Sequence, residues 1–163
     1  MTSILKVSEI QDPTNSNSAL TIDSSGFVVM PKRIHVRAIG DGATTYHNNS
    51  ANEGLPMSVI DEDGDGNGAS YYNTSTGLFT APVAGVYLAS FSVLIATATG
   101  DDFQLLKNGV LYQRFFNHNE RGWHGSLTAL LNANDTLKFI QKTDAMDVYT
   151  AAQYSHVTFT HLG

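Results

Sequence analysis

Three aspartates recur at alternate positions in Val59-Ile60-Asp61-Glu62-Asp63-Gly64-Asp65-Gly66-Asn67-Gly68-Ala69. Asp61-x-Asp63-x-Asp65-Gly66 has the form that opens a helix–loop–helix calcium loop, where alternating carboxylates supply oxygen ligands. Such a loop also needs a bidentate carboxylate at its twelfth position and a helix on each side. The twelfth position here is Tyr72, and the flanks 56–60 and 71–73 are extended in character. Gly64-x-Gly66-x-x-Ala69 loosely matches a dinucleotide loop, but the sequence predicts no helix after Ala69 whose N-terminus could face a phosphate. The stretch therefore reads as an acidic, glycine-rich connection between two strands. A weaker, non-helical calcium site at Asp61, Asp63 and Asp65 is the alternative, because a divalent cation would relieve the repulsion among three carboxylates.

A second stretch, Asn117-His118-Asn119-Glu120-Arg121-Gly122-Trp123-His124, holds the single tryptophan. A Trp beside Asn, His and Arg can hold a sugar or a protein partner by ring stacking and side-chain hydrogen bonds. Asn117, His118, Arg121, Trp123 and His124 are thus the candidate ligand-binding loop. The competing reading has Trp123 begin a strand and fill the core or a subunit interface. The histidines are His35, His47, His118, His124, His156 and His161, and none has the H-E-x-x-H spacing of a metal site. His156 and His161 read as surface or interface residues. Cysteine is absent, which removes disulfides, thiolate ligands and thiol nucleophiles. There is no G-x-S-x-G elbow, and the paired Asp101-Asp102 follows Thr99-Gly100 in a turn. No catalytic residue and no cofactor is expected.

The elements that must position these residues read as strands. A chain of 163 residues suits one domain with a short appendage. Its net charge is −6, and its densest basic stretch, residues 31–37, is short, so a nucleic-acid partner is not expected. The start has no secretory-signal pattern, and no apolar run approaches membrane-spanning length. Asn48, Asn73 and Asn134 head N-x-Ser/Thr triplets, which carry little weight without such a signal. Gly, Asn, Asp, Ser and Thr cluster between β-branched and aromatic runs, the pattern of an all-β sandwich or barrel. Asn108-Gly109 between Phe103–Lys107 and Val110–Arg114 predicts a type I′ hairpin. The longest strand, Val86–Ala96, puts Tyr87, Ala89, Phe91, Val93 and Ile95 on one face. Its other face, Val86, Leu88, Ser90, Ser92 and Leu94, is half apolar. A strand with one wet face alternates more cleanly, so the second face should be partly covered by another subunit or a loop.

The first thirty residues differ. Short extended stretches at Ile4–Val7, Ala19–Asp23 and Phe27–Met30 are separated by the polar run 11–18 and the turn Ser24-Ser25-Gly26. Ile4, Leu5, Val7, Leu20, Ile22, Phe27 and Val29 are too few to build a core alone. They are the candidate attachment and oligomerisation residues, and Pro31 marks the boundary. The chain divides into an N-terminal segment, 1–33, and a head, 34–163.

Thr76-Gly77-Leu78-Phe79-Thr80-Ala81-Pro82-Val83-Ala84-Gly85-Val86-Tyr87 resembles the signature stretch of the C1q-like globular head, a trimeric jelly roll shared with tumour-necrosis-factor-type ligands. Leu105–Gly109 resembles the family's L-x-K-N-G hairpin. Leu131–Leu137 resembles its L-x-x-G-D-x-V turn, with Asn134 where glycine is usual. His156–Leu162 resembles its closing strand, with Thr160 in place of glycine. Residues 4–11 and 19–26 resemble the leader of structural proteins of phages that infect aquatic bacteria, which attaches an adhesive or decorating module to the particle. The resemblances imply an all-β, C1q/TNF-like jelly-roll sandwich, a homotrimer with a short extended N-terminal segment. They also imply a non-enzymatic virion protein, assembled in the host cytoplasm, whose partners are itself, capsid or tail proteins, and a host glycan or protein. A free-standing adhesin is the alternative. No nucleic-acid or membrane partner is implied.

Overall fold

The computed structural model describes residues 8–11, 18–30, 33–42, 46–99, 102–116, 120–142, 146–151 and 153–163. Near the N-terminus, β1 (Glu9–Gln11), β2 (Ser18–Ile22) and β3 (Val28–Val29) pair as an antiparallel meander. Asp23 shapes its turn: one carboxylate oxygen accepts the N–H groups of Ser25 and Phe27, and Gly26 takes φ 85°. The expected strand at Ile4–Val7 lies outside the described residues. Among the described residues, Glu9–Gln11 is the strand paired beside β2, with Ile10 opposite Leu20.

The head is built from β4 (His35–Ile39), β5 (Tyr46–Asn49), β6 (Val59–Asp63), α1 (Gly68–Tyr71), β7 (Tyr72–Asn73) and β8 (Leu78–Thr80), then β9 (Gly85–Thr99), β10 (Asp102–Lys107), β11 (Val110–Phe116), β12 (Glu120–Leu131), β13 (Thr136–Gln141), β14 (Met146–Tyr149) and β15 (His156–His161). One sheet has the order β11-β10-β13-β8-β7. The other runs β5-β14-β9-β15-β4-β6, with β12 on the free side of β9. The chain crosses between sheets at β6 to β7, β8 to β9, β9 to β10, β11 to β12, β12 to β13 and β13 to β14. That winding is a jelly roll.

Alternation decides which side chains meet between the sheets. Tyr87, Ala89, Phe91, Val93 and Ile95 of β9 point inward and are buried. They face Phe79, Phe103, Leu105, Leu137 and Phe139 of the other sheet. Phe159 of β15 stacks on Phe79 with centroids 4.5 Å apart and planes within 7°. Gly125 leaves room for Phe115, whose ring a Cβ there would meet at 2.3 Å.

The turns carry the backbone states that their residues allow. Asn108 and Gly109 have φ of 52° and 76°, the type I′ geometry. The Asn108 side chain ties this hairpin to the next turn, donating to Asp135 Oδ1 and accepting from Thr136 N, both at 2.8 Å. Asn134, where glycine is usual in the resembled turn, takes φ 70°, a region asparagine enters more readily than most residues.

Two expectations are corrected. A single helical turn, α1, follows the acidic run where only extended chain was expected, although four residues cannot act as a phosphate-binding helix. The stretch 117–124, read as a loop, is already strand β12 from Glu120 onward.

Candidate interaction surface

The acidic stretch lies at a sheet edge. In β6, Arg37 pairs with Glu62 and Ala38 with Ile60, so Asp61 is the extra residue of a bulge. The Arg37 guanidinium binds the Asp61 carboxylate and lies 3.7 Å from Glu62 Oε1. Asp63 accepts the N–H of Gly66 at 2.9 Å and of Gly68 at 2.7 Å. Asp65 accepts from Tyr71 Oη at 2.7 Å and from Asn67 N at 3.1 Å. Burial pushes the Asp65 carboxyl up, but these donors outweigh it and hold the group below its usual value. Burial and the same hydrogen bond push the Tyr71 phenol up to about 12. Asp61, Asp63 and Asp65 are therefore each committed to donors of this chain, and among the described residues no cluster of three His, Asp or Glu is arranged to hold a metal. The loop is stapled by its own carboxylates. Asp63→Ala should cost about 1–2 kcal/mol, because two backbone donors lose a charged acceptor. Urea denaturation checks this, and added calcium should leave the wild-type midpoint in place.

Trp123 goes to the core. It is 2 % exposed and packs against Phe103 at a centroid distance of 5.0 Å. A ring so buried cannot stack on an outside ligand. The reason is the strand period: Trp123 pairs with the inward-facing Val93, so both share the inner face. His124 and Arg121 are exposed, and Arg121 Nε donates to Ile95 O at 3.0 Å. Asn117 and His118 lie outside the described residues. Of the three described candidates, Trp123 is buried while Arg121 and His124 are exposed, so these three do not share one surface.

The second face of β9 is the surface that the fold does build. Residues paired across neighbouring strands share a face, so the registers give its rows. Leu130 neighbours Val86. Thr128, Leu88, Thr160 and His35 form the next row, followed by Ser126, Ser90, Thr158 and Arg37, and then His124, Ser92 and His156. The centre of the face is made of small, mostly uncharged side chains. Val86 is 37 % and Leu130 70 % exposed. The charged groups gather at one border: His35 bridges Thr160 at 2.8 Å and Glu62 at 3.1 Å, beside the Arg37 ion pair. Next to this face, the edge strand β11 exposes Val110, Leu111, Tyr112 and Phe116.

His156 sits in this face half-buried. Burial, helped by the Arg37 charge and opposed by Glu62, holds its ring below the ordinary value of 6.5. The unfolded chain therefore takes up this proton first as pH falls. The stability tied to the neutral ring is complete above pH 6.5 and is lost as pH drops through the lower folded value. The thermal midpoint should fall on acidification over that window, and His156→Gln should flatten the dependence.

The N-terminal meander presents a second apolar surface. Ile10, Leu20, Ile22 and Val28, with Ser8 and Glu9, line a shallow hollow of about 150 Å³. Ile22, Phe27 and Val28 are 44 %, 69 % and 63 % exposed. Leu20 is half-buried, while Ile4, Leu5 and Val7 lie outside the described residues and the Val29 side chain is likewise not described.

Among solved structures, the chain is similar to the TNF Eiger from S. frugiperda: 11 % identity over 81 % of this chain and 94 % of that one, with a TM-score of 0.61. It is similar to the globular domain of the zebrafish complement 1qA protein: 13 % identity over 80 % and 98 %, TM-score 0.61. Murine APRIL also matches: 9 % identity over 80 % and 100 %, TM-score 0.59. At such identities the likeness is one of fold. No curated protein matches the sequence. The family model of the C1q domain matches residues 44–162. That match spans most of the chain, and the chain belongs to the C1q-domain family.

Proposed function

We propose that this chain is a non-enzymatic display protein of a bacteriophage particle, a homotrimer whose segment 1–33 anchors it and whose head, 34–163, is presented outward. It serves as a capsid decoration or head fibre, or as a tail-fibre tip. The observation that carries this reading is a pair of surfaces with exposed apolar side chains on the single chain: the small-residue outer face that exposes Val86 and Leu130, and the meander that exposes Ile22, Phe27 and Val28. The first has small residues at its centre, which lets copies of the head approach closely around a closed symmetry axis. The second pairs only within itself and has too little apolar area to be a core, which suits a segment that beds into other copies or into the particle. The resemblance of residues 4–11 and 19–26 to phage leaders supplies the particle.

Antibody labelling of purified phage particles, viewed by electron microscopy, tests the location. Label on the capsid supports decoration, and label on the tail supports host recognition. Particles that carry no label, while the purified protein still sizes as a trimer, overturn the virion role in favour of a free adhesin.

A further inference from the structure

A cleft of about 620 Å³ opens on the side of the head away from the proposed subunit face. Its size is that of a small-ligand site. One wall is the segment Asn52–Ser58, the other is the turn Thr74–Thr76, and Lys138 stands between them, with Asp41 at the rim. Lys138 is on the outer face of the five-stranded sheet, between Leu78 and Leu106.

What sets this cleft apart is the division of labour between backbone and side chains. Backbone atoms hold both walls. Asn52 N donates to Gln141 O at 2.8 Å and Leu55 N to Phe139 O at 3.1 Å, so one wall is bonded to β13. Gly77 N donates to Asn73 O at 2.8 Å, which closes the other. The walls then meet at Gly54, where a Cβ would lie 2.3 Å from Thr76 O, and the Gly77 Cα lies 3.1 Å from the same position. No side chain fits between them, and the spacing is fixed. Part of the polar lining is engaged, as where Asn52 Oδ1 accepts from Lys142 Nζ at 2.8 Å, and part is not. The Lys138 ammonium and the hydroxyls of Ser58, Thr74 and Ser75 have no partner among the described residues. Glu53 uses one carboxylate oxygen, Oε2, to accept Ser50 N at 2.8 Å.

We propose that this cleft binds a neutral, hydroxyl-rich saccharide. Sugar hydroxyls both donate and accept. The free ammonium and hydroxyls match their acceptor oxygens, and the second carboxylate oxygen of Glu53 matches a donor. Pro56 offers an apolar edge for the C–H face of a ring. A polyanion is disfavoured by the two carboxylates and by the chain's charge of −6. Rigid walls with unengaged side chains are a preformed site, in which little ordering opposes binding. The inference goes beyond the display role and holds for one chain or three.

The test is an array of neutral and acidic oligosaccharides probed with the purified full chain, followed by calorimetric titration of the best neutral binder. Lys138→Ala and the double variant Thr74→Ala/Ser75→Ala should each weaken that binder at least tenfold, with the melting midpoint and the particle mass unchanged. The proposal is overturned if no neutral oligosaccharide binds, if only acidic ones bind, or if binding survives both variants. Oligomeric mass is read on the same samples, so failure here leaves the assembly reading standing on its own evidence.

Discussion

Phe159→Ala is expected to lower the stability of the folded chain by about 3–5 kcal/mol, the usual cost of truncating a buried phenylalanine. Phe159 is fully buried on β15, and its ring lies on Phe79 of the opposing sheet. It also lies 5.9 Å from Phe139 and 6.1 Å from Tyr72. Three of its aromatic neighbours thus come from the other layer, and the ring is where the two sheets touch. Removing it opens a cavity that backbone pairing on both sides prevents from collapsing. Domains of this size lose about 2–4 °C of midpoint per kcal/mol, so the melting temperature should drop by roughly 6–20 °C. Phe159→Leu, which refills most of the volume, should recover more than half of the loss. A scanning-calorimetry shift under about 2 °C for the alanine variant, less than 1 kcal/mol, would mean that the ring does not join the sheets.

Leu88→Arg is expected to abolish assembly while leaving the fold intact. Leu88 points away from the core, between Thr128 of β12 and Thr160 of β15. In the single chain an arginine there stays in water, and surface substitutions of that kind cost within about 0.5 kcal/mol. In a closed assembly three guanidinium groups would be desolvated against hydroxyls and apolar side chains with no carboxylate beside them. An unpaired buried charge costs on the order of several kcal/mol. Light scattering should therefore read the mass of one chain for the variant and of three for the parent, with overlapping circular-dichroism melts at high dilution. A variant that still sizes as three chains would remove this face from the interface and shift attention to the exposed β11 edge.

The strand pattern of the head was legible in local chemistry. Leu78–Thr80 is the strand read from the sequence, and Val86–Ala96 lies within β9. The Asn-Gly turn has the predicted backbone, because few residues other than Asn and Gly accept two positive φ values in succession. On the second face of β9, Val86 is exposed in the single chain, while Leu88, Ser90, Ser92 and Leu94 are half-buried. The short helical turn after Asn67 was not legible: it carries no side-chain cap, and neighbouring strands hold it in place. Glu9–Gln11 was missed because a three-residue strand has no period of its own and exists only through its pairing with β2.

Site residues divide along the same line. The sequence by itself determined the alternation, the turn chemistry, the absence of thiol chemistry and the family signature from Thr76 to Tyr87, because these depend on residues adjacent in the chain. Only the tertiary structure decided where the polar groups go. Trp123 turned inward because its register with Val93 put it on the buried face. Asp61, Asp63 and Asp65 were spent on Arg37, Gly66, Gly68 and Tyr71, so a spacing that suits calcium became a staple. The Lys138 cleft brings residues 41, 52–58, 74–76 and 138 together across three turns of the jelly roll. No local pattern records that meeting, because the long-range pairing of strands makes it.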